Sequence, residues 1–202
     1  MLCVFDLFSS ILTSFFLPFQ TDDSPASKRI DCTECIAGKY LNVSQQITDV
    51  CIDCPRGRYN TLEGQGYFEN CTECPLGKSM DDDNDPGQNS DTKCLGCKEG
   101  EYNDEFGRLM CKKCPEGTWS NEASLDSADA CKSCPLGRKG TVPGLDKEKL
   151  CDECPLGFYQ NVVRKTICLA CQLGRYTDEK GTVHPNFATS EVEACKPCDV
   201  GR

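Results

Sequence analysis

Nine pairs of cysteines, each spaced Cys-x-x-Cys, are the residues of this chain best equipped for chemistry. Their first members are Cys32, Cys51, Cys71, Cys94, Cys111, Cys131, Cys151, Cys168 and Cys195. As thiolates, such pairs can hold zinc, and one pair followed about 16 residues later by another has the spacing of a ribbon-like four-cysteine site. With one thiol of lowered pKa at a helix N-terminus, a pair can exchange disulfides. Oxidised, the cysteines can staple the chain instead. A further use is redox sensing by one exposed pair, for which nothing in the sequence singles out a pair.

Composition weighs these readings. Leu, Ile, Val and Phe number 40 in the 202 residues, and 11 of them lie in the first 26. That leaves 29 in the remaining 176, fewer than a chain normally needs to bury a sufficient apolar core. The same 176 residues hold 18 of the 19 cysteines, the density of a secreted disulfide scaffold. A bridge closing about 15 residues contributes roughly 3 kcal/mol by restricting the unfolded chain. Zinc fits poorly: nine pairs do not divide into four-cysteine sites, and the lone His184 sits near none of them. Exchange chemistry lacks the βαβ context that lowers a thiol pKa. Structural disulfides are therefore expected. If the second cysteine of each pair joins the first of the next, the bridges are Cys35–Cys51, Cys54–Cys71, Cys74–Cys94, Cys97–Cys111, Cys114–Cys131, Cys134–Cys151, Cys154–Cys168 and Cys171–Cys195. Crossed pairings remain open, since spacing alone does not fix connectivity.

The elements that must position these sulfurs repeat with them. The first cysteines are separated by 19, 20, 23, 17, 20, 20, 17 and 27 residues. A unit of about 20 residues is too small to bury a core alone, which predicts a quasi-linear array with each unit touching mainly its neighbours. Three residues after each second cysteine stands a glycine: Gly38, Gly57, Gly77, Gly100, Gly117, Gly137, Gly157, Gly174 and Gly201. This predicts positive φ or backbone packed against sulfur. Two residues further stands Tyr40, Tyr59, Tyr102, Trp119, Tyr159 or Tyr176, replaced by Ser79 and Lys139 in two units. The ring is expected to cover the unit's own disulfide as a miniature core. An aromatic ladder for a ligand is the sharper and less favoured reading. Proline after the second cysteine (Pro55, Pro75, Pro115, Pro135, Pro155) argues against a helix through the pair. Tyr40–Val43 and Phe158–Val163 read as hairpin strands, Ser124–Ala130 and Leu145–Leu150 as single helical turns. The fold class predicted is a small disulfide-rich, elongated tandem array with short β-hairpins and little other regular structure.

Residues 1–26 read as a secretory signal, with the apolar run Leu7–Phe19 and small residues at Ser24 and Ala26 before a cleavage point. No Lys or Arg precedes the run and Asp6 stands before it, so an uncleaved anchor or a misplaced start are the alternatives. Removal would take away the odd Cys3. Residues 27–31 are a short lead-in and 32–202 the repeats. The last repeat starts at Cys198 and stops at Arg202, which reads as truncation, with any membrane anchor expected downstream. Asn42 and Asn70 open Asn-x-Ser/Thr glycosylation triplets. The second triplet contains Cys71, which hinders modification if bridged. Residues 81–91 hold Asp81, Asp83, Asp85 and Asp91. Pro86 stands where a calcium loop of the EF-hand type needs glycine, so a solvated acidic loop is favoured over a calcium site. The net charge of −10 argues against nucleic acid. No nucleophile–base pair or phosphate cradle is evident, so neither an enzyme nor a cofactor is expected.

The unit C-P-x-G-x-Y…C-x-x-C, clearest at Cys54–Tyr59 and Cys154–Tyr159, resembles the ephrin-receptor-like cysteine-rich repeat of the GCC family. It is similar also to the first small module of tumour necrosis factor receptor cysteine-rich domains. The resemblance covers residues 32–202. It implies an extracellular, disulfide-stapled segment with the loop-closing pairing given above, acting as stalk or interaction surface of a larger receptor-like or adhesion-like protein. The implied partner is an extracellular protein or glycan. Array-type surface antigens of protists are a near alternative, and an intracellular zinc-binding protein is the rival from another class.

Overall fold

The computed structural model describes residues 34–41, 50–80, 85–177 and 195–199. Eight disulfides close eight consecutive units, beginning at Cys35, Cys54, Cys74, Cys97, Cys114, Cys134, Cys154 and Cys171. Each opens with a tight turn in which the N–H four residues after the cysteine donates to the carbonyl one residue after it, as Arg58 does to Pro55 at 3.1 Å. The third turn residue is the repeated glycine, at φ between +72° and +87°, where a side chain would be strained. The chain then runs extended for two or three residues and pairs, antiparallel, with the residues inside the next Cys-x-x-Cys.

The eight hairpins join Lys39–Leu41 to Cys51–Asp53, Arg58–Tyr59 to Thr72–Glu73, Lys78–Met80 to Cys94–Gly96, and Glu101–Tyr102 to Lys112–Lys113. Thr118–Trp119 pairs with Lys132–Ser133, Arg138–Lys139 with Asp152–Glu153, Phe158–Tyr159 with Leu169–Ala170, and Arg175–Tyr176 with Lys196–Pro197. At each of the eight hairpins the N–H of the second cysteine of the following pair donates to the repeated glycine's carbonyl, as Cys74 does to Gly57 at 2.9 Å. Short 3-10 turns at Phe68–Asn70, Asp91–Lys93, Ala128–Ala130 and Glu148–Leu150 lead into a closing cysteine. The helical turns read at 124–130 and 145–150 are thus only their last three residues, and the strand read at 158–163 ends at Tyr159. Two bridges, Cys97–Cys111 and Cys154–Cys168, span 14 residues rather than 16 or more and have no such turn.

Successive units are laced by backbone. The carbonyl of Cys35, Cys54, Cys74, Cys97, Cys114 and Cys134 accepts from the N–H of Gly64, Gly87, Gly107, Ser124, Gly144 and Arg164, each one unit ahead. All six donors have positive φ, including the non-glycines Ser124 and Arg164. The sequence reading expects each unit to touch mainly its neighbours, and contact also reaches two units ahead. A Cβ on Gly38, Gly57, Gly77, Gly100 or Gly117 would meet the backbone of the same donor residue two units ahead, at 2.0 to 2.8 Å. At these five positions glycine is required both by its positive φ and by another backbone, not by sulfur; Gly157 and Gly174 have the positive φ with nothing close to their Cβ positions.

Candidate functional site

Among the described residues twelve of the sixteen bridged cysteines are buried and, with Met80, Leu125 and Tyr159, form the core; the Cα–Cα separations of 5.5 to 5.9 Å are well suited to disulfides. The connectivity is loop-closing throughout, with no crossed pair. In the seven pairs from Cys51-x-x-Cys54 to Cys168-x-x-Cys171 the two cysteines therefore serve different bridges, and neither keeps a thiolate for zinc. No group of three or more His, Cys, Asp or Glu able to hold a metal occurs among the described residues. Cys198 is free and exposed.

The rings do not lie where the sequence reading put them. Tyr59 was expected over its own bridge, Cys54–Cys71, but packs against Cys74, Cys94 and Met80 of the following unit. Tyr102 packs likewise on Cys114, Cys131 and Leu125, and Tyr159 on Cys171 and Cys195. The cause is the strand direction: the ring sits on the first hairpin strand, which pairs with the next Cys-x-x-Cys and so points its side chains toward the next bridge. Each of these three rings is a lid over the following bridge.

A second set of residues escaped sequence reasoning. One residue after five of the six rings stands a buried polar residue, Asn60, Asn103, Ser120, Gln160 or Thr177; Leu41 follows the sixth, Tyr40. The Asn103 amide donates to the carbonyls of Lys78 at 2.6 Å and Glu105 at 2.8 Å, while its oxygen accepts from the Glu105 N–H at 3.2 Å. Asn60 makes the equivalent bonds to Lys39 and Leu62. The carbonyl at this position also accepts from the repeated glycine one unit back, as Asn60 does from Gly38 at 2.7 Å. The aromatic–polar dipeptides Tyr59-Asn60, Tyr102-Asn103, Trp119-Ser120, Tyr159-Gln160 and Tyr176-Thr177 were the available signal.

Charge is arranged outside this frame. Arg58 donates to the Cys71 carbonyl at 2.8 Å, pairs with Glu73, and lies 4.6 Å from the Phe68 ring centroid. Arg138 repeats the clamp on Cys151 and Glu153, and Arg175 the carbonyl bond on Cys195. Lys112 reaches both Asp104 and Glu105, lowering both carboxyl pKa values through its hydrogen bonds while its own is raised. Asn70, half-buried, accepts from the Tyr67 N–H at 3.2 Å, and Cys71 of its triplet is buried in a bridge. Asn42, Cys32, His184, residues 1–26 and Asp81 to Asn84 lie outside the described residues, so the signal and acidic-loop readings gain no geometry. No helix among the described residues is long and apolar enough to cross a membrane.

A disulfide-cored tandem array with a backbone lacing between units defines a repeat protein of the cysteine-rich class. Residues 87–124 and 140–186 match the family described as tyrosine-protein kinase ephrin type A/B receptor-like. These two stretches are similar to ephrin-receptor-like cysteine-rich repeats, a receptor-like family; the likeness to tumour necrosis factor receptor modules rests on the sequence motif alone. Each matched stretch contains one complete bridge, Cys97–Cys111 in the first and Cys154–Cys168 in the second. No curated protein matches the chain.

Proposed function

We propose that this array is a non-enzymatic extracellular segment of a receptor-like protein, acting as a spacer and interaction surface. The observation that carries the reading is the lacing: carbonyls of successive cysteines accept from successive loops, so unit follows unit in fixed register while side chains of the loops vary. A repeat that touches only units near it in sequence extends by addition, the property a stalk needs. Eight bridges favour an oxidising compartment, and a glycan on Asn42, with a hindered one on Asn70, is consistent with that setting. The partner would be a protein or glycan met along the loop faces.

The test is secretion from a eukaryotic cell of the chain and of versions lacking two or four units, followed by small-angle scattering and intact mass with and without reductant. Maximum dimension should fall linearly with unit number, and each bridge should add two mass units on reduction. A dimension that changes little with unit number would overturn the spacer reading; retention in the cytosol with free thiols would overturn the compartment.

A further inference from the structure

Tyr59, Tyr102 and Tyr159 each lid the following bridge, and the two units without a ring have none to place over their successors. Ser79 precedes Cys97–Cys111, and Lys139 precedes Cys154–Cys168. Burial of the closing cysteines follows this pattern, whereas the opening cysteines are all buried except Cys171, beneath Tyr159, which is half-buried. The closing cysteines after a ring, namely Cys71, Cys94, Cys131, Cys151 and Cys195, are all at most 4% exposed. Cys111 and Cys168 are only half-buried. Cys51, in the first described unit and with no described ring ahead of it, is half-buried too.

At the first of these bridges the space left by the missing ring is an open groove of about 390 Å³. Ser79, Leu109, Met110 and Cys111 line it, and the Ser79 hydroxyl lies 3.3 Å from the Cys111 sulfur, to which only the hydroxyl can donate. Lys98 and Lys113 stand on its wall, with Glu101 the acidic residue facing them. Exposed bridges are the ones open to exchange, since the attacking thiolate needs access to a sulfur, and nearby cations favour thiolate.

We propose that Cys97–Cys111 is a thiol-exchange site that takes a soluble dithiol reductant. The incoming thiolate bonds to the Cys111 sulfur, the Cys97–Cys111 bond breaks, and Cys97 leaves as thiolate and takes a proton from water. The reductant's second thiolate then attacks its own sulfur in the mixed disulfide, releasing Cys111 as thiolate beside the Ser79 hydroxyl. The dithiol is oxidised to its disulfide by two electrons and the bridge is reduced to two thiols. Opening frees the loop whose Gly107 N–H bonds the Cys74 carbonyl at 2.9 Å and whose Gly107 carbonyl fits against Gly57. A laced run of units thereby gains a hinge in its middle.

The experiment is partial reduction of the intact, fully bridged chain with dithiothreitol at neutral pH, followed by alkylation and peptide mass mapping over time. Cys97 and Cys111 should be labelled roughly tenfold faster than Cys74, Cys94, Cys114 and Cys131. Ser79→Tyr should bring them down to the neighbours' rate, Ser79→Ala should leave them fast, and Tyr102→Ser should make Cys114–Cys131 fast. Equal rates at all these bridges in the unaltered chain would overturn the proposal, as would a Ser79→Tyr chain that folds and keeps the fast phase. Where Ser79→Tyr fails to fold, Tyr102→Ser decides: an unchanged rate at Cys114–Cys131 refutes the lid.

Discussion

Gly57 and Gly107 are 50 positions apart and fit backbone to backbone: a Cβ on Gly57 would stand 2.0 Å from the Gly107 carbonyl oxygen. They belong to units two apart, so the array is coupled beyond nearest neighbours. Gly57 is also at φ +82°, so its own turn and a distant unit's approach each demand glycine.

Gly57→Ala should separate these two demands when compared with Gly157→Ala. Gly157 has φ +79° and nothing within 4 Å of its Cβ position, so alanine there meets only the left-handed penalty of about 1 to 2 kcal/mol. At Gly57 the overlap with a carbonyl adds to that, for a total of roughly 3 kcal/mol or more. Denaturant unfolding under non-reducing conditions reads both. Equal losses would mean that the Gly107 contact carries no weight.

The glycine, the ring and the closed loop were legible because each recurs at a fixed offset from a cysteine. What they touch was not, since a period names a position and leaves its partner open. Tyr59 was read onto its own bridge for that reason, although strand pairing aims it at the next. The positive-φ loop residues were hidden differently. They lie ten residues after the cysteine at Gly64, Gly107, Ser124, Gly144 and Arg164, but thirteen after it at Gly87, in a unit with a longer loop. Residue type varies there because the site asks for a free N–H and an unusual φ, which Ser124 and Arg164 supply at some strain.

Asn103→Ala should cost roughly 3 kcal/mol, since it strands the carbonyls of Lys78 and Glu105 and the Glu105 N–H in a buried setting. Asn103→Asp should cost a similar amount, because a carboxylate accepts where two donors are needed. Hydrogen exchange would show the loss at the Glu105 N–H, which donates to the Asn103 side chain, and at the Gly77 N–H, which donates to the Asn103 carbonyl across the unit boundary. Protection retained at Gly77 would show that the two units stay joined without this side chain.

Arg58→Met and Glu73→Gln should differ although both remove the same ion pair. The pair is half exposed, with side-chain exposures of 24% and 40%, and such pairs contribute at most about 1 kcal/mol. Arg58 also satisfies the Cys71 carbonyl and covers Phe68, so its loss should cost about 2 kcal/mol. Unfolding midpoints of the two variants, compared at low and high salt, check this: salt should shrink the small Glu73→Gln effect and leave most of the Arg58→Met one.

Asp104 and Glu105 should titrate below the ordinary carboxyl range, and Lys112 above the ordinary lysine value. For the carboxyls, a depressed folded pKa means stabilisation present above the unfolded value and lost as pH falls through the folded one. For Lys112 the sign reverses: its contribution holds below the ordinary lysine value and fades as pH rises through the raised one. Nuclear magnetic resonance titration of the carboxyl carbons reads the first pair directly. Lys112→Ala should return both midpoints toward ordinary values; midpoints that stay low would place the cause elsewhere.

Cys54→Ser tests how far coupling travels. An array of independent units would lose only the loop from Cys54 to Cys71. The lacing requires more. The loop holds Gly64, which donates to the Cys35 carbonyl, and Asn60, which accepts from Gly38 and bonds the Lys39 carbonyl. Cys54 itself accepts from Gly87, and Gly57 receives the Gly107 backbone. Hydrogen-exchange protection should therefore fall in the units beginning at Cys35 and Cys74, fall less in the one beginning at Cys97, and persist from Cys134 onward. Loss confined to residues 54–71 would show that the interunit bonds add little, and loss reaching Cys154 would show that the array unfolds as one body.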